Sequence, residues 1–386
     1  MNLTPSFDSA PIRQWLVEPR VSPEVGSNAR KLAGSDDVRG VVLLPDVHLG
    51  RTVNNGCVAA TSDLVYPEAV GADIGCGLSS IRFECPAEVV QNPVVAGRII
   101  RLLQREIPAI KHAKAPSWPD SLAHQSLSHA MLARESQRDG LWQFGSLGCG
   151  NHFVELQRDD AGMLWLMVHS GSRAMGQAIS RFHLAGCAVS RTGLRHLDSR
   201  TPQGQACLND MEWAVHYARL NRLAIMARVV DILQAVCGAA ADEDAYLDCP
   251  HNFLRRERIN GVELIVHRKS VNSAGLGERG LIAGSMGSPS YLVRGMGVGE
   301  SLCSSSHGAG RVLSRTEACQ RIKPADLRRQ LGPVHHDPAR LEDLCDEAPA
   351  AYRDIRQVMR AQRDLVRQEQ RLIPVLNFKH PDPRRH

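Results

Sequence analysis

Three apolar runs in this chain end alike. VVLLPDVHLG at 41–50, LWLMVHSGSR at 164–173 and ELIVHRKS at 263–270 each carry a Val-His pair into a small or basic stretch. Short apolar runs closed by Gly, Pro or Asp read as buried strands, so strands are expected at 41–44, 164–168 and 262–266. A side chain at a strand end is held by the sheet yet faces the loop layer, which lets His48, His169 and His267 converge from separate strands. Taken singly, each imidazole is as well explained by a hydrogen bond to a neighbouring loop.

Longer periodic stretches predict helices at 94–107, within 205–237 and at 351–371. In the second of these no Gly or Pro interrupts, Asp210 reads as the N-cap and Gly238 as the stop. The third carries Arg353, Arg356, Arg360, Arg363, Arg367 and Arg371. Those arginines read as a solvated helix face, with an RNA-facing surface as the alternative. No tandem repeat or low-complexity linker divides the chain. The expected fold class is therefore α/β: one compact domain over 1–386 with central β-sheets, surrounding helices and a site in a cleft at strand ends. A helical protrusion is expected at about 190–240.

Composition excludes several classes. With 43% apolar and 23% charged residues the chain is an ordinary folded protein, and a net charge of +5 does not separate a polyanion binder from a protein with no such partner. Its 11 cysteines form no CxxC pair, which argues against a zinc ribbon or a disulfide framework and for a reducing cytoplasm. The opening MNLTPSFDSAPIRQWL has neither the basic start nor the apolar core of a leader, and no apolar run is long enough for a bilayer, so no membrane partner is expected.

The chemistry-bearing residues cluster around GADIGCG at 71–77. Asp73 and Cys76 can bind one cation from adjacent turns, and a thiolate sulfur can bridge two cations completed by imidazoles. Gly71, Gly75 and Gly77 would let backbone fold closely around an ion or a phosphate. Read alone, this segment is equally a glycine-rich turn with a buried cysteine. Partners are plentiful: Asn151, His152 and Glu155 in SLGCGNHFVE, His169 and Arg173 in VHSGSR, His251 and Asn252 in CPHNF. Three imidazoles with Asp73 and Cys76 would suffice for a two-metal centre. SSSHGAGR adds His307 and Arg311 before a helix expected to open near Val312, which would set both at an anion-binding helix N-terminus; a structural turn is the plainer reading.

Taken in order, DVHLG, GADIGCG, SLGCGNHFVE, VHSGSR, HNF, HRK, GSMG and SSSHGAGR resemble the RtcB family of RNA-splicing ligases, over roughly 41–379. The resemblance implies two manganese ions bridged by the sulfur of Cys76, with Asp73 and His152 completing one and His169 and His251 the other. It implies GTP as cofactor and His307 as the residue that takes GMP. It places Asn151 on the triphosphate and Glu155, Ser285, Tyr352 and Lys379 around the guanosine, with Gly308, Ala309 and Gly310 also in the nucleotide site. Arg173, Lys269 and Arg311 would hold phosphates, and Asp46 would support the metal or the RNA end. The implied partners are RNAs ending in a 2′,3′-cyclic phosphate or 3′-phosphate and in a 5′-hydroxyl.

The chain departs from the family in SVNSAG after HRK, in Ala283 before GSMG, in Thr52 after DVHLG and in its ending NFKHPDPRRH beyond Lys379. These departures resemble a divergent branch coupled with a peptide-release-factor homologue. That likeness implies a release-factor-like protein or the ribosome as partner and repair of ribosomal RNA as the setting, beside tRNA splicing. Two alternatives compete with a ligase: a two-metal phosphodiesterase or phosphatase that needs no nucleotide-accepting imidazole, and a non-catalytic RNA-binding protein on the same fold.

Overall fold

The computed structural model describes residues 9–381. The opening residues 1–8, on which the expectation of no leader partly rests, and the last residues of NFKHPDPRRH, 382–386, lie outside the described residues. The architecture is mixed α/β, a single compact domain built on two large sheets. The first has five strands in the order Ile12–Gln14, Val38–His48, Asn55–Thr61, Val262–Lys269 and Asn252–Ile259. The second has seven, in the order Ala241–Pro250, Gly77–Pro86, Met163–Ser170, Phe153–Arg158, Val366–Phe378, Ser290–Gly295 and Arg279–Ile282. All three Val-His runs lie in strands of these sheets.

Within Val38–His48 the run Val41–Leu44 is apolar because both of its faces are covered. Val41 and Leu43 pack with Val25, Leu32 and Cys57, whereas Val42 and Leu44 pack with Val58, Val266 and Ile282. On the seven-stranded sheet, Phe83, Leu156, Leu166 and Val168 meet helix residues Ile99, Leu103, Ile225, Val229 and Leu233 on one face. Each such side chain, fully buried, contributes roughly 1.5–3 kcal/mol to folding. Leu78, Met167, Leu292 and Leu372 occupy the other face.

The helix Pro93–Glu106 follows from its sequence. Asn92 accepts the amide of Val94, Pro93 starts the first turn, and the buried Ala96, Ile99, Ile100 and Leu103 recur at helical spacing. It stops at Ile107, the residue before Pro108, where helical backbone is disfavoured. The long helix Pro202–Cys237 begins earlier than the sequence suggests. Its cap is Thr201, whose hydroxyl accepts the amide of Gly204, while Gly238 ends it at φ 69° as expected. Asp210 is not a cap: it lies buried in mid-helix, accepting from Ser128 and facing His183 at 2.7 Å. Within 190–240 the chain forms a short strand, Arg195–Asp198, and then this helix. The helix packs along the sheet with 15 buried residues rather than standing away from it.

The expected helix at 351–371 is replaced by a short helix, Ile355–Ala361, and the strand Val366–Phe378. Gln362 ends the helix, since its buried amide is tied to Ser306 by one bond from Nε2 to Oγ at 2.5 Å and one from the Ser306 amide at 2.9 Å. The following strand lies between Phe153–Arg158 and Ser290–Gly295, so pairing on both edges overrides local helix preference. The arginine run is thereby split between a helix and a strand. Likewise no helix opens at Val312; the next one is Arg315–Arg321, capped by Ser314. His307 and Arg311 therefore do not sit at a helix N-terminus. No described helix is long and apolar enough to cross a membrane.

Candidate metal centre and nucleotide cleft

Between the two sheets opens a cleft of about 1010 Å³. Its lining includes Asp73, Cys76, His169, His251 and His307, and also Asn151, Glu155, Ser285, Gly308, Ala309, Gly310, Arg311, Tyr352 and Lys379.

The loop that carries Asp73 and Cys76 is held by backbone, by the half-buried Asn252 and by the buried Arg222. Asn252 Nδ2 donates to Asp73 O at 2.9 Å, Gly75 N to Asn252 O at 2.7 Å, and His251 N to Cys76 O at 2.8 Å. Arg222, wholly buried on the long helix, donates Nη1 to Gly75 O at 2.8 Å and to Ser170 O at 3.0 Å, so one guanidinium joins the Cys76 loop to the end of the His169 strand. Asp248 balances its charge at 2.7 Å. The glycines serve packing rather than approach to an ion: Gly75 has φ 76°, and a Cβ there would lie 2.8 Å from Val215 Cα of the helix. A Cβ on Gly171 would press to 2.3 Å from Asp73 Oδ1, so that position is kept bare for the carboxylate.

Two donor groups share one sulfur. Asp73, Cys76 and His152 form one and Cys76, His169 and His251 the other, with the atoms of each set within 4.8 Å of one another. Cys76 Sγ lies 3.5 Å from His152 Nε2 and 3.2 Å from His169 Nε2; His169 and His251 face each other through Nε2 at 3.3 Å. His152 Nδ1 donates to Leu147 O at 2.9 Å and His169 Nδ1 to Asn151 O at 3.0 Å. A carbonyl only accepts, so the protons sit on Nδ1 and the Nε2 lone pairs point inward, the usual arrangement behind a ligating imidazole. Burial, reinforced by the neighbouring imidazoles, drives His169 and His251 well below the ordinary histidine range, so both are neutral. Burial also raises the Cys76 thiol, with Asp73 adding to it, and only a cation would release that proton. Soft sulfur with imidazole nitrogen and one carboxylate suits a transition metal ion, so the donor set fits the pair of cations implied by the sequence.

His307 stands beside this group, its ring 4.6 Å from that of His251. Asp46 Oδ2 accepts both its Nδ1–H at 2.7 Å and its backbone N–H at 3.1 Å. Of the three Val-His pairs, His169 enters the donor set and His48 lines the cleft wall, donating Nδ1 to Asp46 O at 2.9 Å. His267 takes the plain alternative: it is buried and accepts the amide of Tyr66 at 3.1 Å. Arg173 stands behind His152, Nη1 3.5 Å from its Nδ1, and Lys269 donates to Val53 O at 2.6 Å; both lie outside the cleft lining.

The far end of the cleft is organised by a residue that motif reading missed. Glu347, 3% exposed, accepts from Lys379 Nζ at 2.7 Å and Tyr352 Oη at 2.9 Å through one oxygen, and from Arg315 at 2.5 Å through the other, with Arg311 at 3.4 Å. Burial alone would raise Glu347, but Lys379, Arg315 and Arg311 outweigh it and bring it down to about 2. Arg311 also donates to Asp346 O at 2.8 Å and lies 4.9 Å over the Tyr352 ring. Asn151 is exposed at the rim, and Ser285 Oγ meets Ser288 Oγ at 2.8 Å.

Comparison with known proteins agrees with this construction. The chain is 33% identical to the RNA-splicing ligase RtcB of Escherichia coli (strain K12), over 93% of this chain and 95% of that protein. It is 28% identical to the RNA-splicing ligase RtcB of Mycobacterium bovis, over 88% and 96%. To the tRNA-splicing ligase RtcB of Thermococcus kodakarensis it is 26% identical, over 82% of each. The family profile described as tRNA-splicing ligase RtcB matches residues 28–133 and 119–380, nearly the whole chain, and the chain belongs to the RtcB family.

Proposed function

We propose that this protein is a GTP- and manganese-dependent RNA ligase that joins a 2′,3′-cyclic phosphate or 3′-phosphate end to a 5′-hydroxyl end through a guanylylated His307. What carries the reading is one juxtaposition: a sulfur common to two donor groups, with an imidazole beside it whose Nδ1 is engaged by a buried carboxylate. Two manganese ions held by Asp73, Cys76, His152, His169 and His251 would neutralise phosphate charge and align the reacting groups.

Asp46 keeps the proton of His307 on Nδ1, which leaves the Nε2 lone pair as nucleophile. His307 Nε2 attacks the α-phosphorus of GTP; the P–N bond forms as the bond to the β-phosphate oxygen breaks, and pyrophosphate leaves with that electron pair. A cyclic phosphate end is opened by water to a 3′-phosphate, whose oxygen then displaces Nε2 and takes the GMP. Attack by the 5′-hydroxyl of the second RNA on the 3′-phosphorus releases GMP and seals the strand. Lys379, Tyr352, Glu155 and Ser285 would enclose the guanosine, Asn151 the triphosphate, and Arg311, Arg173 and Lys269 the phosphates.

We extend the proposal to RNA repair or tRNA splicing in the cytoplasm, with a release-factor-like protein or the ribosome as partner; the support is the divergent segments of the sequence and the absence of a disulfide among the described residues. The test is intact-mass measurement after incubation with GTP and Mn²⁺. Wild type gains one GMP and His307→Ala gains none. A metal-loaded wild type that stays unmodified would instead indicate a phosphodiesterase without ligation.

A further inference from the structure

At and beneath the floor of the cleft, Glu155, Gln157 and Asn377 form a buried polar cluster. Along Phe153–Arg158 the side chains of Phe153, Glu155 and Gln157 share one face, and Glu155 pairs across the ladder with Asn377, which brings Asn377 onto that face. Gln157 Nε2 donates to Glu155 Oε1 at 2.6 Å, and Asn377 Nδ2 donates to Glu155 Oε2 at 2.6 Å. Glu155, Gln157 and Asn377 are at most 2% exposed, yet among the described residues Gln157 Oε1 and Asn377 Oδ1 have no hydrogen-bond partner. Turning either amide around would set its oxygen against the carboxylate, so the orphaned acceptors are built into the arrangement. Each carboxylate oxygen uses one lone pair on an amide and keeps another, and Glu155 and Asn377 both line the cleft. The ammonium of Lys379, also in the lining, is a donor there.

We infer that Asn377 and Gln157 are specificity-determining positioning residues for the nucleobase. They fix Glu155 as a double acceptor, with Asn377 Oδ1 beside it, so the base that fits presents adjacent N–H donors, as the ring N1–H and 2-amino group of guanine do and the acceptor N1 of adenine does not. This rests on the nucleotide reading above. A base lacking one of those donors leaves a buried acceptor unpaired, which is the effective way for a site to reject an analogue.

The experiment offers GTP and ITP, which lacks only the 2-amino group, in equal amounts with Mn²⁺, and counts GMP and IMP adducts by intact mass. Wild type is expected to favour GMP by about tenfold or more, the worth of one hydrogen bond. Asn377→Leu and Gln157→Leu bring the ratio to within about threefold of unity. Asn377→Ser, a smaller change, serves where the leucine variant does not fold. A merely structural role would lower both adducts together and leave the ratio intact, and that result overturns the inference while the ligase reading stands. A wild type indifferent to the 2-amino group overturns it equally. A wild type that takes neither nucleotide overturns the ligase reading, and this inference with it.

Discussion

Asp46 Oδ2 lies 2.7 Å from Nδ1 of His307, across 261 residues of sequence, and the carboxylate is fully buried while the imidazole keeps an edge in the cleft. The same oxygen also takes the backbone N–H of His307, so ring and main chain are held by one atom. Asp46→Asn would face Nδ1 with an amide that can donate, favouring the tautomer protonated on Nε2. By analogy with a triad aspartate replaced by asparagine, the rate of GMP transfer to His307 falls on the order of 10³–10⁴-fold. Metal content, measured in parallel, stays at the wild-type level, because Asp46 belongs to neither donor group.

Cys76 is the sole atom source common to both donor groups. Replacing it with serine substitutes a weakly acidic hydroxyl for a thiolate that would bind both ions. Elemental analysis of purified Cys76→Ser should show both ions lost, whereas His251→Ala should lose one more readily than the other. Full occupancy in the serine variant would disprove the bridge.

Arg222→Met leaves the half-buried Asp248 without its ion-pair partner and frees two carbonyls, at Gly75 and Ser170. Breaking a buried pair in this way costs about 3–5 kcal/mol. A lower unfolding midpoint in denaturant, with unchanged slope, would register it. The loss of metal affinity should accompany the loss of stability, since both flanks of the site hang on this guanidinium.

Glu347 contributes a pH dependence of known sign. Its carboxyl is held at about 2 in the folded protein against an ordinary 4.5, so the folded state favours the ionised form. That stabilisation is fully present above about pH 4.5 and is lost as pH falls toward 2. It amounts to on the order of 3 kcal/mol for this buried group. Acid titration of stability should be shallower over this interval in Glu347→Gln than in wild type.

Local pattern revealed the strands and little of what binds them together. The runs at 41–44, 164–168 and 262–266 fall inside observed strands, and the helix at 94–107 agrees within a residue at each end because cap, proline and apolar spacing all coincide. The segment 351–371 misled because one edge on which Val366–Phe378 pairs belongs to a segment more than 200 residues away, with Arg158 opposite Ile373. Asp210 misled because a helix cap and a buried acceptor look alike in one dimension. Asp73 and Cys76 were legible as a pair from their spacing. Glu347 and Arg222 were not, since each is one charged residue among 87 and acquires meaning only from partners elsewhere in the chain. Glu155 and Gln157 alternate with apolar Val154 and Leu156 in one buried strand, a signal of a polar face that the sequence reading did not use.

The donor set draws on four separated stretches, from the loop at Asp73 to the strand end at His251, and His307 is fastened to a strand that lies near the other end of the chain. Bringing such distant stretches together is entropically slow, and the second donor group stays incomplete until His251 is in place. Only a chain that has folded through His251 therefore presents both donor groups, whatever ions they take. A fragment ending before His251 would be unable to hold the second cation however well its own helices formed.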